Sequence, residues 1–306
     1  FFKQKTAYEM LRSLVGSEMC IRDRGLLGAS ISPYLSEQNY QVVKHGNNTY
    51  SDVNCDLTNY YSTQDILDKV YPDIIINLVA LTDVDSCEKN PQEAYLTNTK
   101  TVENIVEWIK KNSSCHLIHI STDQVYAGEG PSKENELALI NTYAYSKYTA
   151  ELLALQVNAT ILRTNFFGYS NCIGRASFSD WLLKVLHEKQ KIKVFTDVKF
   201  SPILIDTLCQ MLSVVINSPQ PGVFNLGSKG GMSKADFAFE LAKCFDLDSS
   251  NFKRVLSSDF QFLASRPNDM RMDSSYFEET FEVDLPNLSN EIQKLSQISQ
   301  DKDTTH

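Results

Sequence analysis

Tyr143 and Lys147 lie four residues apart in Tyr143-Ala144-Tyr145-Ser146-Lys147, a spacing that puts both side chains on one face of a helix. A free tyrosine holds its proton to a pKa of about 10, and a nearby lysine cation favours the phenolate. Such a pair is a general acid-base catalyst. Upstream, His119-Ile120-Ser121-Thr122-Asp123 closes an apolar run. Thr122 there offers a hydroxyl that can hold a carbonyl oxygen while hydride arrives from the opposite side. A Tyr-x-x-x-Lys by itself is more often a solvated helix pair than a catalyst. The Ser-Thr-Asp before it, at the end of a strand, moves the reading to catalysis.

These residues sit inside an alternation of strands and helices. Gln41-Val42-Val43 reads as a short strand, and Cys55-Asp56-Leu57 precedes a helix around Ile66 and Val70. The β-branched run Asp73 to Asn77 suits a parallel strand covered on both faces. A helical pattern from Pro91 to Lys111 leads to a strand at His116 to Ile120, and a helix at Thr142 to Gln156 leads to a strand at Thr160 to Leu162. This order predicts an α/β fold: a Rossmann-type, doubly wound parallel sheet that binds ligands at the carboxyl ends of its strands. From about Ser170 the alternation loosens, with helices at Trp181 to Glu188, after Ile205 and at Ala235 to Cys244, and a strand at Gly222 to Asn225. We therefore expect a nucleotide-binding domain at 25–169, a smaller substrate-binding lobe at 170–298 and a polar, disordered tail at 299–306.

Gly25-Leu26-Leu27-Gly28 reads as the second half of a GxxGxxG turn entering a helix, where backbone N–H groups meet a pyrophosphate. Such a fingerprint needs a strand directly before its first glycine, and Asp23-Arg24 stands in that place. Residues 1–24 read as a leader foreign to the domain, similar to a translated sequencing-adapter read-through and without a secretory pattern. The sheet is accordingly expected to lack its first strand. Leu11, Leu14, Val15, Met19 and Ile21 offer a makeshift substitute, but Gly16-Ser17-Glu18 interrupts its pattern.

NAD-selective folds commonly place an acid at the end of the second strand for the ribose 2'-hydroxyl, whereas here Lys44-His45 is neutral to basic. That favours NADPH, with His45 at the ribose and NADH as the alternative; in the bland reading Lys44 faces solvent. The net charge of -9, without a basic run, argues against nucleic acid as a partner. The longest apolar run, Ile74 to Leu81, falls well short of the roughly 18 residues of a membrane span. Seven cysteines without a CxxC and five histidines without HExxH give neither a disulfide framework nor a metal site, and fit a cytoplasmic protein.

The chain resembles the extended short-chain dehydrogenase/reductases, and within them the dTDP-4-dehydrorhamnose reductase family. The resemblance rests on GLLG at 25–28, Asp56-Leu57, INLVALTDVDSCEKNP at 76–91, Asn98, ISTDQVYAG at 120–128, NTYAYSKYTAE at 141–151, LRTNFFG at 162–168 and SRPNDMRMD at 265–273. It implies NADPH-dependent reduction of the C4 ketone of a nucleotide-linked deoxy-sugar, with Tyr143 as proton donor, Lys147 also on the nicotinamide ribose, and Thr122 and Asp123 on the sugar. It further implies cofactor contacts from Gly25 to Gly28, Asp56, Leu57, Ala80, Leu81, Thr82 and Asn98. Arg266, before Pro267, suits either the nucleotide phosphates or a loop-anchoring ion pair. Leu78-Val79 replace the family's usual paired alanines, and Phe166 stands where tryptophan commonly meets the sugar, which leaves the identity of the sugar open. The rival readings are an epimerase or dehydratase of the same superfamily and a non-catalytic NADP-binding regulatory subunit. A homodimer is the oligomeric expectation.

Overall fold

The computed structural model describes residues 17–21, 25–46, 51–112, 114–172 and 174–304. Its frame is a seven-stranded sheet in the order β11-β6-β5-β4-β1-β2-β3, parallel throughout. The strands are β1 (Ser17–Ile21), β2 (Gln41–Gly46), β3 (Val53–Asn54), β4 (Ile74–Asn77), β5 (His116–Thr122), β6 (Ala159–Thr164) and β11 (Gly222–Leu226). The strand order reverses between β1 and β4, so the ligand crevice of such a sheet lies outside their carboxyl ends.

The expectation of a missing first strand is corrected here. Ser17–Ile21 fill the central place, Glu18 registering with Val42 on one side and Ile74 on the other. A sheet interrupted at its centre would leave the facing N–H and C=O groups of β2 and β4 unpaired, at about 1 to 3 kcal/mol for each one buried. The rest of the leader, and the turn at 22–24 where the first glycine would stand, lie outside the described residues.

Helices cover both faces: α1 (Gly28–Glu37), α2 (Tyr60–Val70), the short α3 (Val84–Lys89), α4 (Thr101–Lys111) and α5 (Thr142–Ala154). A turn at Pro91–Ala94 and a π-helical stretch at Tyr95–Lys100 lead directly into α4. Asn59, Asp83 and Asn141 cap α2, α3 and α5 through side-chain oxygens that accept backbone N–H groups. On one face Ile31, Leu35, Ile76, Ile118 and Leu162 pack together; on the other Ile75, Leu117, Ile161, Val102 and Ile105 do.

The second lobe holds β7 (Phe166–Phe167), α6 (Phe178–His187), β8 (Ile192–Phe195), β9 (Lys199–Phe200) and β10 (Ile203–Leu204). After α7 (Ile205–Asn217) and β11 it continues with β12 (Met232–Ser233), α8 (Lys234–Cys244), β13 (Phe252–Val255), β14 (Asp269–Met270), α9 (Ser275–Phe281) and α10 (Leu288–Thr304). Phe167, Leu186, Phe200, Phe237, Leu241 and Ile292 form its core. Two expected boundaries move. The strand at 222–226 joins the main sheet beside β6 rather than the substrate lobe, because Phe224 and Leu226 with Leu208 and Leu212 of α7 complete the apolar cover over Ile31 and Leu162. The expected disordered tail is helical as far as Thr304, since Ile292 and Leu295 bury on the second core and Ile298 packs against it.

One polar cluster docks α5 on the sheet. Glu151, with Arg163 of β6, forms an ion pair that is 1% and 2% exposed, Arg163 Nη2 donating to Glu151 Oε2 at 2.6 Å. Arg163 Nε donates to both carboxylate oxygens at 3.0 and 3.2 Å, and the Ser121 hydroxyl of β5 donates to Oε1. Removing one member leaves the other charge buried and unpaired, a loss of about 3 to 5 kcal/mol. Arg163→Leu is expected to lower unfolding free energy by that amount in urea titrations, and Arg163→Leu with Glu151→Leu to recover most of it. A single variant within about 1 kcal/mol of the parent would show that Glu151 does not need its partner.

Candidate active site

β5 and α5 bring together the residues expected to be catalytic. The last strand residue, Thr122, caps a short 3-10 turn at Asp123–Val125, its hydroxyl accepting the Gln124 N–H at 3.2 Å. Tyr143 lies in the first turn of α5 and is 6% exposed, packed among Val84, Cys87, Ala94 and Ala264. Its phenol lies on the Thr122 side of the helix, near enough for that hydroxyl to favour the phenolate. Burial pushes the Tyr143 pKa well above that of a free tyrosine; the Thr122 contact opposes this, and the Asp123 and Cys87 charges add to it.

Lys147 lies one turn further along and is 1% exposed. Its Nζ donates to the Ile120 carbonyl at 2.7 Å and stands 3.3 Å from His119 Nε2. Burial lowers its pKa to about 8, against an opposing pull from Glu151. The expected lowering of the tyrosine by this lysine is not what the geometry gives: the amine points to the strand carbonyl and the imidazole, and the burial of Tyr143 dominates.

Asp123 is buried beside them. Its Oδ2 accepts from Asn165 Nδ2 at 2.7 Å and its Oδ1 from Thr122 Oγ1 at 3.3 Å. Burial raises its pKa to about 6, with Asn165 and the charge of Lys234 opposing. Lys234, the first residue of α8, lies over the rings of Phe178 and Phe200 at 5.7 and 5.9 Å. Burial lowers its pKa, against the attraction of Asp123. Sequence reasoning missed His119 and Asn77 as side chains at this site, although both lie within motifs that drew attention. Asn165 lies within the LRTNFFG motif but was not singled out, and Lys234 carried no signal, because only the fold brings them to Asp123.

The expected cofactor residues divide. Gly25, Leu26, Leu27 and Gly28 stand at the entry to α1, beyond the carboxyl end of β1, and the first turn of α1 has no acidic residue. A helix N-terminus of this kind receives phosphate. Asp56 and Leu57 follow β3, and Ala80, Leu81 and Thr82 follow β4, all at the same edge of the sheet. The Asp56 carboxylate accepts from Thr58 N and Oγ1 at 2.9 and 2.7 Å, whereas the Leu57 side chain is buried in the core.

Two placements correct the sequence reading. Strand β2 runs on to Gly46, so His45 is not its last residue; its ring is 3% exposed, with Nε2 3.0 Å from the Cys55 carbonyl. A ring turned inward does not face a ribose 2'-group, and the loop at 47–50, next along the chain, lies outside the described residues. Asn98 is fully buried on the π-helical stretch, accepting the Leu81 N–H at 2.7 Å and donating to Leu81 O and Ser146 Oγ at 3.2 and 2.9 Å. It positions the loop after β4 and touches the ligand edge only through it.

Toward the second lobe, Phe166 is half-buried in β7, registered with Ile203 of β10. Arg266 takes the second of its two expected places: Nη2 meets Asp85 Oδ2 at 2.9 Å, while Ala264 N donates to Asp85 Oδ1 at 3.0 Å. The loop is thereby anchored to α3. Among the described residues no group of three or more His, Cys, Asp or Glu side chains is placed to hold a metal, and no helix is long and apolar enough to cross a membrane.

A doubly wound sheet with a strand-end threonine facing a Tyr-x-x-x-Lys helix defines a reductase of the extended short-chain dehydrogenase class. The chain belongs to the family described as the RmlD substrate binding domain, whose model matches residues 19–300. It is 27% identical over 286 residues to the probable low-salt glycan biosynthesis reductase Agl14 of Haloferax volcanii, covering 89% of this chain and 94% of that one. To the dTDP-4-dehydrorhamnose reductase of Salmonella typhimurium it is 29% identical, over 76% of this chain and 81% of the other. Among solved structures, a hypothetical dTDP-4-dehydrorhamnose reductase from Sulfolobus tokodaii superposes with a TM-score of 0.79 at 30% identity, covering 89% and 97% of the two chains. The Bacillus anthracis dTDP-4-dehydrorhamnose reductase, in complex with NADP, superposes with a TM-score of 0.84 at 22% identity, covering 92% and 98%.

The elevated Asp123 pKa has a signed consequence. A carboxyl near 6 when folded and about 3.9 when unfolded stabilises the fold below pH 4 relative to its ionised form. That advantage is lost as pH rises from about 4 to 6, and totals about 3 kcal/mol. The thermal midpoint of Asp123→Asn should therefore rise relative to the parent between pH 4 and pH 7. A constant difference across that range would show that Asp123 ionises normally.

Proposed function

We propose that the protein reduces the C4 ketone of a nucleotide-linked deoxy-sugar with NADPH, in the manner of a dTDP-4-dehydrorhamnose reductase. The observation that carries the reading is the convergence of Thr122, Tyr143 and Lys147 at the carboxyl end of β5, on the sheet edge where α1 presents its N-terminus. The relatives named dTDP-4-dehydrorhamnose reductase, each matched across about four-fifths of its length, support the substrate class.

The site residues fit a dinucleotide. Gly25 to Gly28 stand at a helix entry whose first turn has no acidic residue, and the loop Ala80 to Thr82, held through Leu81 by Asn98, lies along the neighbouring strand end. NADPH bound there supplies the hydride. Thr122 and Tyr143 together hold the ketone oxygen, the threonine hydroxyl and the phenol each offering an O–H. Tyr143, kept protonated by burial, gives its proton to that oxygen as negative charge develops. Lys147 orients the ribose side of the site from its anchor on Ile120 O. Asp123, fixed by Asn165, meets the sugar hydroxyls, and Phe166 supplies an apolar face without the indole N–H that a tryptophan would add.

With dTDP-4-dehydrorhamnose, one NADPH should be oxidised for each sugar reduced. Tyr143→Phe should cut kcat at least about 10²-fold with the NADPH dissociation constant nearly unchanged. An enzyme that interconverts nucleotide sugars on a retained NAD, consuming no NADPH, would overturn the assignment in favour of an epimerase.

A further inference from the structure

Beneath the reacting face, three side chains, Asn77, His119 and Lys147, form an unbroken buried row. Asn77 ends β4 and His119 lies on β5; the two are registered partners on neighbouring parallel strands. Both are 0% exposed, and Lys147 above them is 1% exposed. Asn77 Oδ1 accepts the Val79 backbone N–H at 3.1 Å. A backbone N–H only donates, so the oxygen of this amide is identified and its nitrogen must be the atom 3.1 Å from His119 Nδ1. The amide nitrogen can only donate, so Nδ1 must accept. A neutral imidazole carries one proton, which leaves it on Nε2. That is the nitrogen 3.3 Å from Lys147 Nζ.

An ammonium has three donors and no acceptor, so it cannot accept this N–H; an uncharged amine has a lone pair that can, while one of its own hydrogens still goes to Ile120 O at 2.7 Å. We propose that Asn77 and His119 form a tautomer lock under Lys147: Asn77 forces the imidazole proton onto Nε2, and that N–H, aimed at the amine, opposes the ammonium form. His119 is thus a positioning residue, acting on the reaction through Lys147. The lock holds because burial in the interior keeps the imidazole neutral.

The other titratable groups near Lys147 do not supply this effect. On its own helix, Glu151 pulls the other way, and its carboxylate is shared with Arg163 of β6 and Ser121 of β5. Tyr143 lies one turn back on α5; Cys87 of α3 and Asp123 after β5 act on Tyr143, and Glu88 of α3 accepts the Thr142 N–H at 3.0 Å. Burial already lowers the Lys147 pKa to about 8, and the lock acts in the same direction, so Lys147 changes protonation near neutral pH. A pH-dependent step at the Tyr143–Lys147 pair follows, and this kinetic consequence rests on the reductase reading above.

The tautomer is testable without turnover. In the unaltered protein, 15N NMR of the imidazole ring assigned to His119 should show an unprotonated Nδ1 and a protonated Nε2 from pH 6 to 9. The reverse tautomer, or an imidazolium, would overturn the proposal whatever the enzyme's substrate. For the kinetic arm, Asn77→Asp offers only acceptors and reverses the tautomer, while His119→Phe removes the N–H and keeps the ring. Both should move the alkaline limb of the kcat profile upward, by at least about one pH unit for Asn77→Asp. A fall in kcat that is equal at every pH, with the limb unmoved, would reduce Asn77 and His119 to packing.

Discussion

The charge that Glu151 carries into the interior sets the constraint on which the site depends. A carboxylate out of water is tolerable only with a partner in good geometry, and Arg163 and Ser121 supply that partner from two adjacent strands. An ion pair of this kind adds little net stability over an apolar one, but it restricts how the helix can sit. Tyr143, Lys147 and Glu151 recur every four residues, and each step of four on a helix turns about 40° past a full turn. With Glu151 fixed over β5 and β6, the stripe carries Lys147 over the middle of β5 and swings Tyr143 toward α3. The small residues Ala144, Ala150 and Ala154 are buried on the same helix and let it approach the sheet closely. A rotation that lost the ion pair would also withdraw the phenol from Thr122.

The sheet sets the other half of the geometry. Parallel register places Asn77 beside His119, and Thr122 beside Thr164, so functional side chains arrive in rows across strand ends. Asn98 clamps both the N–H and the C=O of Leu81, which fixes the loop after β4 from outside the sheet. The π-helical turn that carries Asn98 is a local widening of the helix, a feature that often accompanies functional sites. The departure from paired alanines after Asn77 is absorbed on the two sides of the sheet: Leu78 packs with one core and Val79 with the other.

The strand and helix on which the proposed catalytic residues sit were legible in sequence because their signals are local. An apolar run ending in Ser-Thr-Asp and a capped helix with Tyr and Lys at a spacing of four need no tertiary information. His45 failed for a related reason. Side chains alternate along a strand, so an end misplaced by one residue, here at Gly46, reverses which way the residue faces. The strand at 222–226 reads as a strand from its own residues, but nothing local says which sheet it joins; α7 and the exposed edge of β6 decide that. Ser17–Ile21 have no clean alternation, and only the two neighbouring strands explain their place. Lys234 and Asn165 meet Asp123 across 42 and more positions of chain, beyond what spacing can convey.

Burial also orders the protons in a way that suits one direction of the reaction. It raises the pKa of a neutral acid such as the phenol and lowers that of a cationic acid such as the ammonium, because the charged form is disfavoured in both. Tyr143 and Lys147 are displaced in these opposite senses, so the phenol keeps its proton over a range where the lysine has begun to lose its own. A ketone being reduced needs a donor that stays protonated until charge appears on oxygen, whereas alcohol oxidation needs a base already formed. In the proposed reduction Tyr143 is that donor. Water exclusion around Tyr143, which Val84, Cys87, Ala94 and Ala264 provide, is therefore part of the chemistry as well as of the core.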